Sequence, residues 1–494
     1  MDSPIIIQLF QRIQLDTNVS RAIYLQLADS ILEYLRNGSL RAGQKLPSSR
    51  ETAKMLGLNR ITVSKAYSEL EVQGWLVSSV GKGTFVSDHV VDQEPRKLAR
   101  GLAETTPHNI AGFTVNKIDY VAGVNEISIP DLHLDDGYPD PRLAPLMELY
   151  RAYRNQLTRG GLYHRFGSYG NAAGSDHYRH TIADYLNATR GLKCQATNIL
   201  SVRGTLMGIN LVCSGLIAPG DLVVTGLPGW NRVTSNLIHV GARHIGLPVD
   251  EHGLVVEELR KLCLREKVRM VYVTPHHHYP TTVSLRIDRR LELLRLANEF
   301  RFIILEDDYD FDFHYKHRPL LPLASEDENA MVVYCGSFSK SFSPAFRMGY
   351  IVAAENVIEQ LAMVRILHDR QGDHILDNAM ADIISDGTIQ RYLRRTLPVY
   401  EQRRNLFCQL MNSELGDSVN FEIPDGGMSV WTKFDPSIDL NHLVTKAYQK
   451  GLLMSDGEVG TTSPLYQNGL RLGFASSTDE ELIRSVEIIK KIIG

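Results

Sequence analysis

Between residues 20 and 37 apolar side chains recur at threes and fours, with Ala22, Leu25, Ala28, Ile31, Leu32 and Leu35 on one face and Asn37-Gly38 at the end. That spacing predicts an amphipathic helix. In Leu46-Pro47-Ser48-Ser49-Arg50-Glu51, Ser48 with Glu51 three positions on makes a capping box for a second helix, running to Leu56 and stopped by Gly57. Asn59 caps a third, Arg60 to Gln73, ended by Gly74. Two helices joined by a short Gly-containing turn are a helix-turn-helix. The stretch Trp75 to Val86 then reads as a β-hairpin tipped by Gly81-Lys82-Gly83, a wing.

The pattern changes twice more. Residues 88–129 mix charges, carry Pro95 and Pro107, and show no sustained period; they read as a linker with room for a short helix at Lys97 to Glu104. From Asp131 onward strands alternate with helices. The strand candidates are Asn198 to Val202, Leu222 to Thr225, Met270 to Thr274, Phe302 to Leu305, Met331 to Tyr334 and Tyr350 to Ala353; the clearest helices between them are Thr205 to Gly215, Arg289 to Phe300 and Val357 to Arg365. This alternation predicts an α/β body with a mostly parallel sheet, helices on both faces and ligands at the strand C-termini. After about Ile366 the pattern is of helices plus a small sheet, a minor C-terminal α+β domain. The expected division is therefore 11–87, linker 88–129 and body 130–494.

Size agrees, since 494 residues are too many for one ordinary core. The net charge of -4 argues against a surface that coats nucleic acid as a whole. Charge is uneven, however: residues 1–87 carry 10 Lys+Arg against 7 Asp+Glu, which leaves the remainder at -7. On a winged helix the outward positions of the third helix, Asn59, Arg60, Thr62, Ser64 and Lys65, reach base edges or phosphates, with Arg50 beside them and Lys82 at the backbone or minor groove. Cys194, Cys213, Cys263, Cys335 and Cys408 are scattered singly, which fits buried thiols in a reducing cytoplasm. No signal-peptide pattern and no apolar run of about 18 residues appears, so no membrane span is expected.

The densest chemistry lies in Met331-Val-Val-Tyr-Cys-Gly-Ser337-Phe-Ser-Lys340-Ser-Phe-Ser-Pro-Ala-Phe-Arg347, an apolar strand opening into a Ser-rich turn with one lysine and an arginine seven residues later. A lysine at the mouth of a parallel sheet, shielded from full hydration and near a second cation, can form a Schiff base with an aldehyde. Arg347 can grip a phosphate two-pronged. Gly204-Thr205, between a strand and a helix, offers amides and a helix dipole to the same phosphate. Trp230 follows another strand and can lie on a ring, while Arg232 can hold a ligand carboxylate. His276-His277-His278 points to alternate sides of a strand end, so the three cannot face one metal ion.

Leu-Pro-Ser-Ser-Arg50, the Asn59-Arg-Ile-Thr-Val helix and Gly81-Lys-Gly-Thr-Phe-Val86 resemble the GntR-type winged helix-turn-helix, and the Ser-Phe-Ser-Lys340 and Arg347 pair resembles the pyridoxal 5'-phosphate lysine motif of fold-type I aminotransferases. Together the two halves resemble the MocR/GabR subfamily of transcription regulators over nearly the full length. The resemblance implies Lys340 as the aldimine lysine, Asp307 against the pyridine nitrogen, Tyr309 near the phenolate oxygen, Ser337 in the phosphate turn and Arg471 as a carboxylate receptor. It also implies that Tyr169 serves the cofactor phosphate of a partner subunit, hence a homodimer. Two departures stand out: Pro280-Thr281-Thr282 replaces the usual Pro-Thr/Ser-Gly, and Tyr279 stands where catalytic members place an Asn. Both bear on turnover more than on cofactor binding. The expectation is a cytoplasmic regulator that reads double-stranded operator DNA and senses a small amine, an amino acid or the B6 vitamer itself. The alternative is an active aminotransferase with an accessory DNA-binding domain.

Overall fold

The computed structural model describes residues 4–16, 19, 21–79, 81–88, 110–121, 130–135, 137–161, 167–316, 320–454 and 468–494. The chain forms two compact units, Met1–Asn116 and Lys117–Gly494. Most of the 88–129 stretch, including the short helix expected at 97–104, lies outside the described residues.

The first unit holds α1 (Pro4–Gln11), α2 (Ile23–Arg36), α3 (Ser49–Leu56) and α4 (Arg60–Val72), followed by β1 (Leu76–Ser79) and β2 (Gly83–Val86). The caps expected from sequence form: Ser48 Oγ accepts from the Glu51 amide, Glu51 Oε2 accepts from the Ser48 amide, and Asn59 Oδ1 accepts from the Ile61 amide. Gly57 ends α3 at φ 65°, a conformation that costs a side chain but not glycine. β1 and β2 pair antiparallel from Leu76↔Val86 to Ser79↔Gly83, which is the wing. Helix α1 was not expected. Its Ile6 and Phe10, with Ile13 beyond, are spaced at four and three and are buried with Leu27, Ile31, Val63 and Leu70.

The second unit begins earlier than residue 130. Ser235 Oγ donates to the Tyr120 carbonyl at 2.6 Å, and Tyr120 Oη lies 2.7 Å from His239 Nδ1. After β3 (Leu132–His133) come β4 (Ile199–Val202), β5 (Leu222–Leu227), β6 (Arg243–Asp250), β7 (Gly253–Leu254), β8 (Val268–Val273), β9 (Ile303–Asp308), β10 (Val332–Ser337) and β11 (Gly349–Val352). Strands β4 to β11 form one sheet in the order β4-β11-β10-β9-β8-β5-β6-β7. The run β10, β9, β8, β5, β6 is parallel, while β11 and β7 run antiparallel to their neighbours. Alternate residues of a strand supply opposite cores: Val332 and Tyr334 pack on one side, Val333 and Cys335 on the other. β6 went unread in the sequence because Gly246 and Pro248 break up its apolar residues Ile245, Leu247 and Val249, and such residues ordinarily signal a turn.

Beyond residue 366, helices His374–Ser385, Thr388–Leu415, Leu440–Gln449 and Asp479–Ile493 accompany β12 (Val419–Asn420), β13 (Ser429–Phe434), β14 (Leu452–Leu453) and β15 (Gly469–Gly473). β12, β13 and β15 make an antiparallel sheet, and β14 pairs parallel with β3. All five cysteines are buried and unbridged. Among the described residues no helix is long and apolar enough to cross a membrane.

Candidate functional site

The C-terminal ends of β4, β5, β8, β9 and β10 surround a cavity of about 190 Å³. Of the residues singled out from sequence, Thr205, Trp230, Tyr279, Asp307, Tyr309, Ser337, Lys340 and Arg347 line it. Tyr138, Leu206, Tyr272, Ser339 and Pro344 complete the wall.

Lys340 follows β10 in a tight Ser-rich turn and is only 9% exposed. Its Nζ donates to the Gly137 carbonyl at 3.0 Å and lies 4.2 Å from the centre of the Tyr138 ring. Asp307 arrives from β9, where the period-two rule separates it from its acidic neighbours. Glu306 accepts from the Leu323 and Ala324 amides at 2.8 and 2.9 Å, Asp308 accepts from Tyr334 Oη, and Asp310 accepts from His277 Nδ1 at 2.9 Å. The acidic run is therefore not a wet loop, since its carboxylates take separate buried partners; among the described residues no group of three His, Cys, Asp or Glu is arranged to hold a metal ion. Asp307 Oδ2 accepts from Tyr272 Oη at 2.9 Å, and its buried Oδ1 has no hydrogen-bond partner. Burial pushes this carboxyl up to about 7, with Asp308 and Asp310 adding to the rise and the Tyr272 bond opposing it.

At the other end, Arg347 is held at φ 52°, a left-handed conformation that costs a non-glycine residue about 1–3 kcal/mol. Its guanidinium donates to the Arg203 carbonyl at 3.0 Å and packs over Gly204, where an added Cβ would lie 2.9 Å from a guanidinium nitrogen. Gly204, at φ 75°, opens the helix Gly204–Leu216, so amides, the helix dipole, the Ser337 and Ser339 hydroxyls and Arg347 gather at one corner. The residues fit pyridoxal phosphate. An unpartnered buried carboxylate oxygen suits a protonated ring nitrogen, a glycine cradle under an arginine suits a phosphate, and the lysine lines the same cavity.

Four of the expected site residues lie in places the sequence did not fix. Tyr309 lies just past the end of β9, in a bend, yet it reaches the cavity and donates from Oη to the His277 carbonyl at 2.7 Å. Arg232, on the helix Asn231–His239, is not among the lining residues. Neither is Arg471 on β15, which sits behind Tyr279 and Tyr309. Tyr169 is 73% exposed under the Arg370 guanidinium and outside this cavity. The three histidines diverge as expected, His276 to the Leu320 carbonyl, His277 to Asp310 and His278 to the Pro228 carbonyl. Thr282 does adopt a left-handed conformation, φ 63°, despite its β-branch. Tyr138 and Tyr272 carried no sequence signal, one being brought from 202 residues before Lys340 and the other reading as strand core.

In the first unit Arg50, Asn59, Arg60, Ser64, Lys65 and Lys82 are exposed and Thr62 is half-buried. The Asn59 amide oxygen is committed to its helix cap, which leaves its NH2 to face outward.

A sheet of this order with a lysine, an aspartate and an arginine around one cavity defines an aminotransferase-like body, and the other unit is a winged helix-turn-helix. Residues 150–489 match the family model of class I and II aminotransferases, and residues 23–86 match that of bacterial regulatory proteins of the gntR family. A probable rhizopine catabolism regulatory protein, MocR, of Rhizobium meliloti is 27% identical over 464 residues, covering 93% of this chain and 92% of that one. The HTH-type transcriptional regulator NorG of Staphylococcus aureus is 24% identical over 441 residues, covering 89% and 97%. Among solved structures, an archaeal alanine:glyoxylate aminotransferase superposes with a TM-score of 0.67 at 25% identity, over 73% of this chain and 90% of that one. The chain belongs to the class I and II aminotransferase family, and with its N-terminal GntR module it falls in the MocR/GabR subfamily. It is a DNA-binding transcription regulator with an aminotransferase-like domain.

Proposed function

We propose that the body takes up pyridoxal 5'-phosphate at Lys340 and that occupancy of this pocket, by the cofactor alone or with a small amine or amino acid, sets the affinity of the winged helices for operator DNA. The convergence of Lys340, Asp307 and Arg347 on one cavity carries this reading. When bound, the cofactor supplies an aldehyde for amine condensation and an electron-withdrawing ring. Lys340 Nζ would provide the tethering amine and carry a proton when displaced. Asp307 would keep the ring nitrogen protonated, with Tyr272 fixing the carboxylate plane, and Tyr309 would face the phenolate side. Gly204, Thr205, Ser337, Ser339 and Arg347 would hold the phosphate, and Trp230 would lie on the ring. Tyr169 would serve the pocket of a second subunit in a homodimer, and the exposed Arg50, Asn59, Arg60, Ser64, Lys65 and Lys82, with Thr62, would contact DNA.

The test is a titration of regulatory DNA affinity against cofactor, then against cofactor plus amines and amino acids. A change of tenfold or more at either stage, lost in Lys340→Ala, is the expected result; DNA binding indifferent to both would overturn the reading. The full complement of Lys340, Asp307 and Arg347 also favours a second reading, an active aminotransferase with an accessory head. Many turnovers of an amino acid and a 2-oxo acid by protein that ignores DNA would select it.

A further inference from the structure

Arg471 is the arginine expected to receive a ligand carboxylate, yet what surrounds it is protein. It pairs across β13 and β15 opposite Trp431 and is 9% exposed. Its two terminal nitrogens donate to the Pro280 carbonyl and to Tyr309 Oη, both at 3.4 Å. The guanidinium carbon lies 5.2 Å from the centre of the Tyr279 ring and 5.8 Å from that of Tyr309, within the range of cation–π contact. Tyr279 and Tyr309 both line the cavity, and Arg471 does not. Tyr279 also leans on Trp230, ring centres 6.2 Å apart, so the wall on this side is a continuous aromatic surface.

A ligand entering the cavity therefore meets rings where a carboxylate would need a cation. Among the described residues the cations that line the cavity are Lys340 and Arg347, at the expected tethering point and at the phosphate corner. A carboxylate desolvated against tyrosine and tryptophan without a charged partner is strongly disfavoured, whereas the alkyl or aryl part of an amine gains from the same surface.

We infer that Tyr279 seals Arg471 from the cavity and thereby selects a primary amine lacking an α-carboxylate over the corresponding amino acid. This rests on the reading of the cavity as a pyridoxal phosphate and amine site, and it narrows the ligand class of that site. Tyr279 is on this account a specificity-determining residue. The tyrosine hydroxyl is not required for the seal, which the ring makes.

The experiment uses the full chain loaded with pyridoxal phosphate and matched ligand pairs, phenethylamine against phenylalanine and butylamine against 2-aminopentanoate. Binding is read by the change in visible absorbance and by thermal shift. The wild-type chain is expected to bind each amine at least tenfold more tightly than its amino acid. Tyr279→Phe keeps that ratio. Tyr279→Asn lowers it at least tenfold by gaining affinity for the amino acid, and adding Arg471→Gln removes the gain. Equal or tighter binding of the amino acid by the wild-type chain, lost in Arg471→Gln with Tyr279 intact, overturns the inference. A second readout needs no cofactor: phenylglyoxal labelling of arginines, mapped by peptide mass, should spare Arg471 in the wild-type chain and Tyr279→Phe and modify it in Tyr279→Asn. Fast labelling in the wild-type chain breaks the seal argument by itself. A chain that takes up no pyridoxal phosphate but still protects Arg471 refutes the functional reading and leaves the seal standing.

Discussion

Asp307 shows how much a single position depends on burial. In the cofactor-free chain its carboxyl is pushed up to about 7 by desolvation, above the ordinary value of 3.8. Between those limits the folded chain holds a proton that the unfolded chain has released, so this group's contribution to stability falls as pH rises. Asp307→Asn has no such titration. Its melting temperature minus that of the parent should therefore become more positive from about pH 4 to about pH 8. Histidines with the opposite slope, such as His278, which burial lowers to about 4, largely cancel in this difference. A difference that stays flat across the series in cofactor-free protein would contradict the assignment. The same residue marks where sequence reading succeeded. Asp307, Lys340 and Arg347 were legible because an apolar strand ending in charge is unusual. Tyr138 and Tyr272 were not, since an aromatic in a strand or a loop looks alike whether it faces core or cavity.

The helices of the head were legible because capping is local chemistry: Ser48 with Glu51 and Asn59 with Ile61 satisfy amides within four residues of sequence. Ser48→Ala and Asn59→Ala should each lower the free energy of local opening of α3 or α4 by about 1 kcal/mol. Amide hydrogen exchange in the full chain measures this; unchanged protection would mean that tertiary packing, through Tyr67 Oη on the Pro47 carbonyl and Thr52, carries those helices instead. The body's central strands were legible from their apolar runs. β6 was not, because Gly246 and Pro248 interrupt its apolar middle, and its place between β5 and β7 follows only from pairing. Strand order likewise has no local signature, so the placement of β11 beside β4 emerges only in three dimensions.

For the whole molecule, an excess of positive charge sits in the first 87 residues while the chain as a whole is acidic. DNA affinity should therefore fall steeply with salt, and Lys82→Ala at the wing tip should reduce the slope of log K against log salt by about 1 without changing sequence preference. Filter binding or fluorescence anisotropy at several salt concentrations, with cofactor loading held constant, measures it; an unchanged slope would remove the wing tip from the contact. Helix α1 has a practical corollary for anyone isolating the DNA reader. Ile6 and Phe10 are buried in one core with Leu27, Ile31, Val63 and Leu70, so a fragment trimmed to begin at residue 11 would open the head's interior to solvent. Such a fragment should show loosened tertiary packing and added dye-binding surface, and weak operator binding by it would reflect that damage rather than loss of the body.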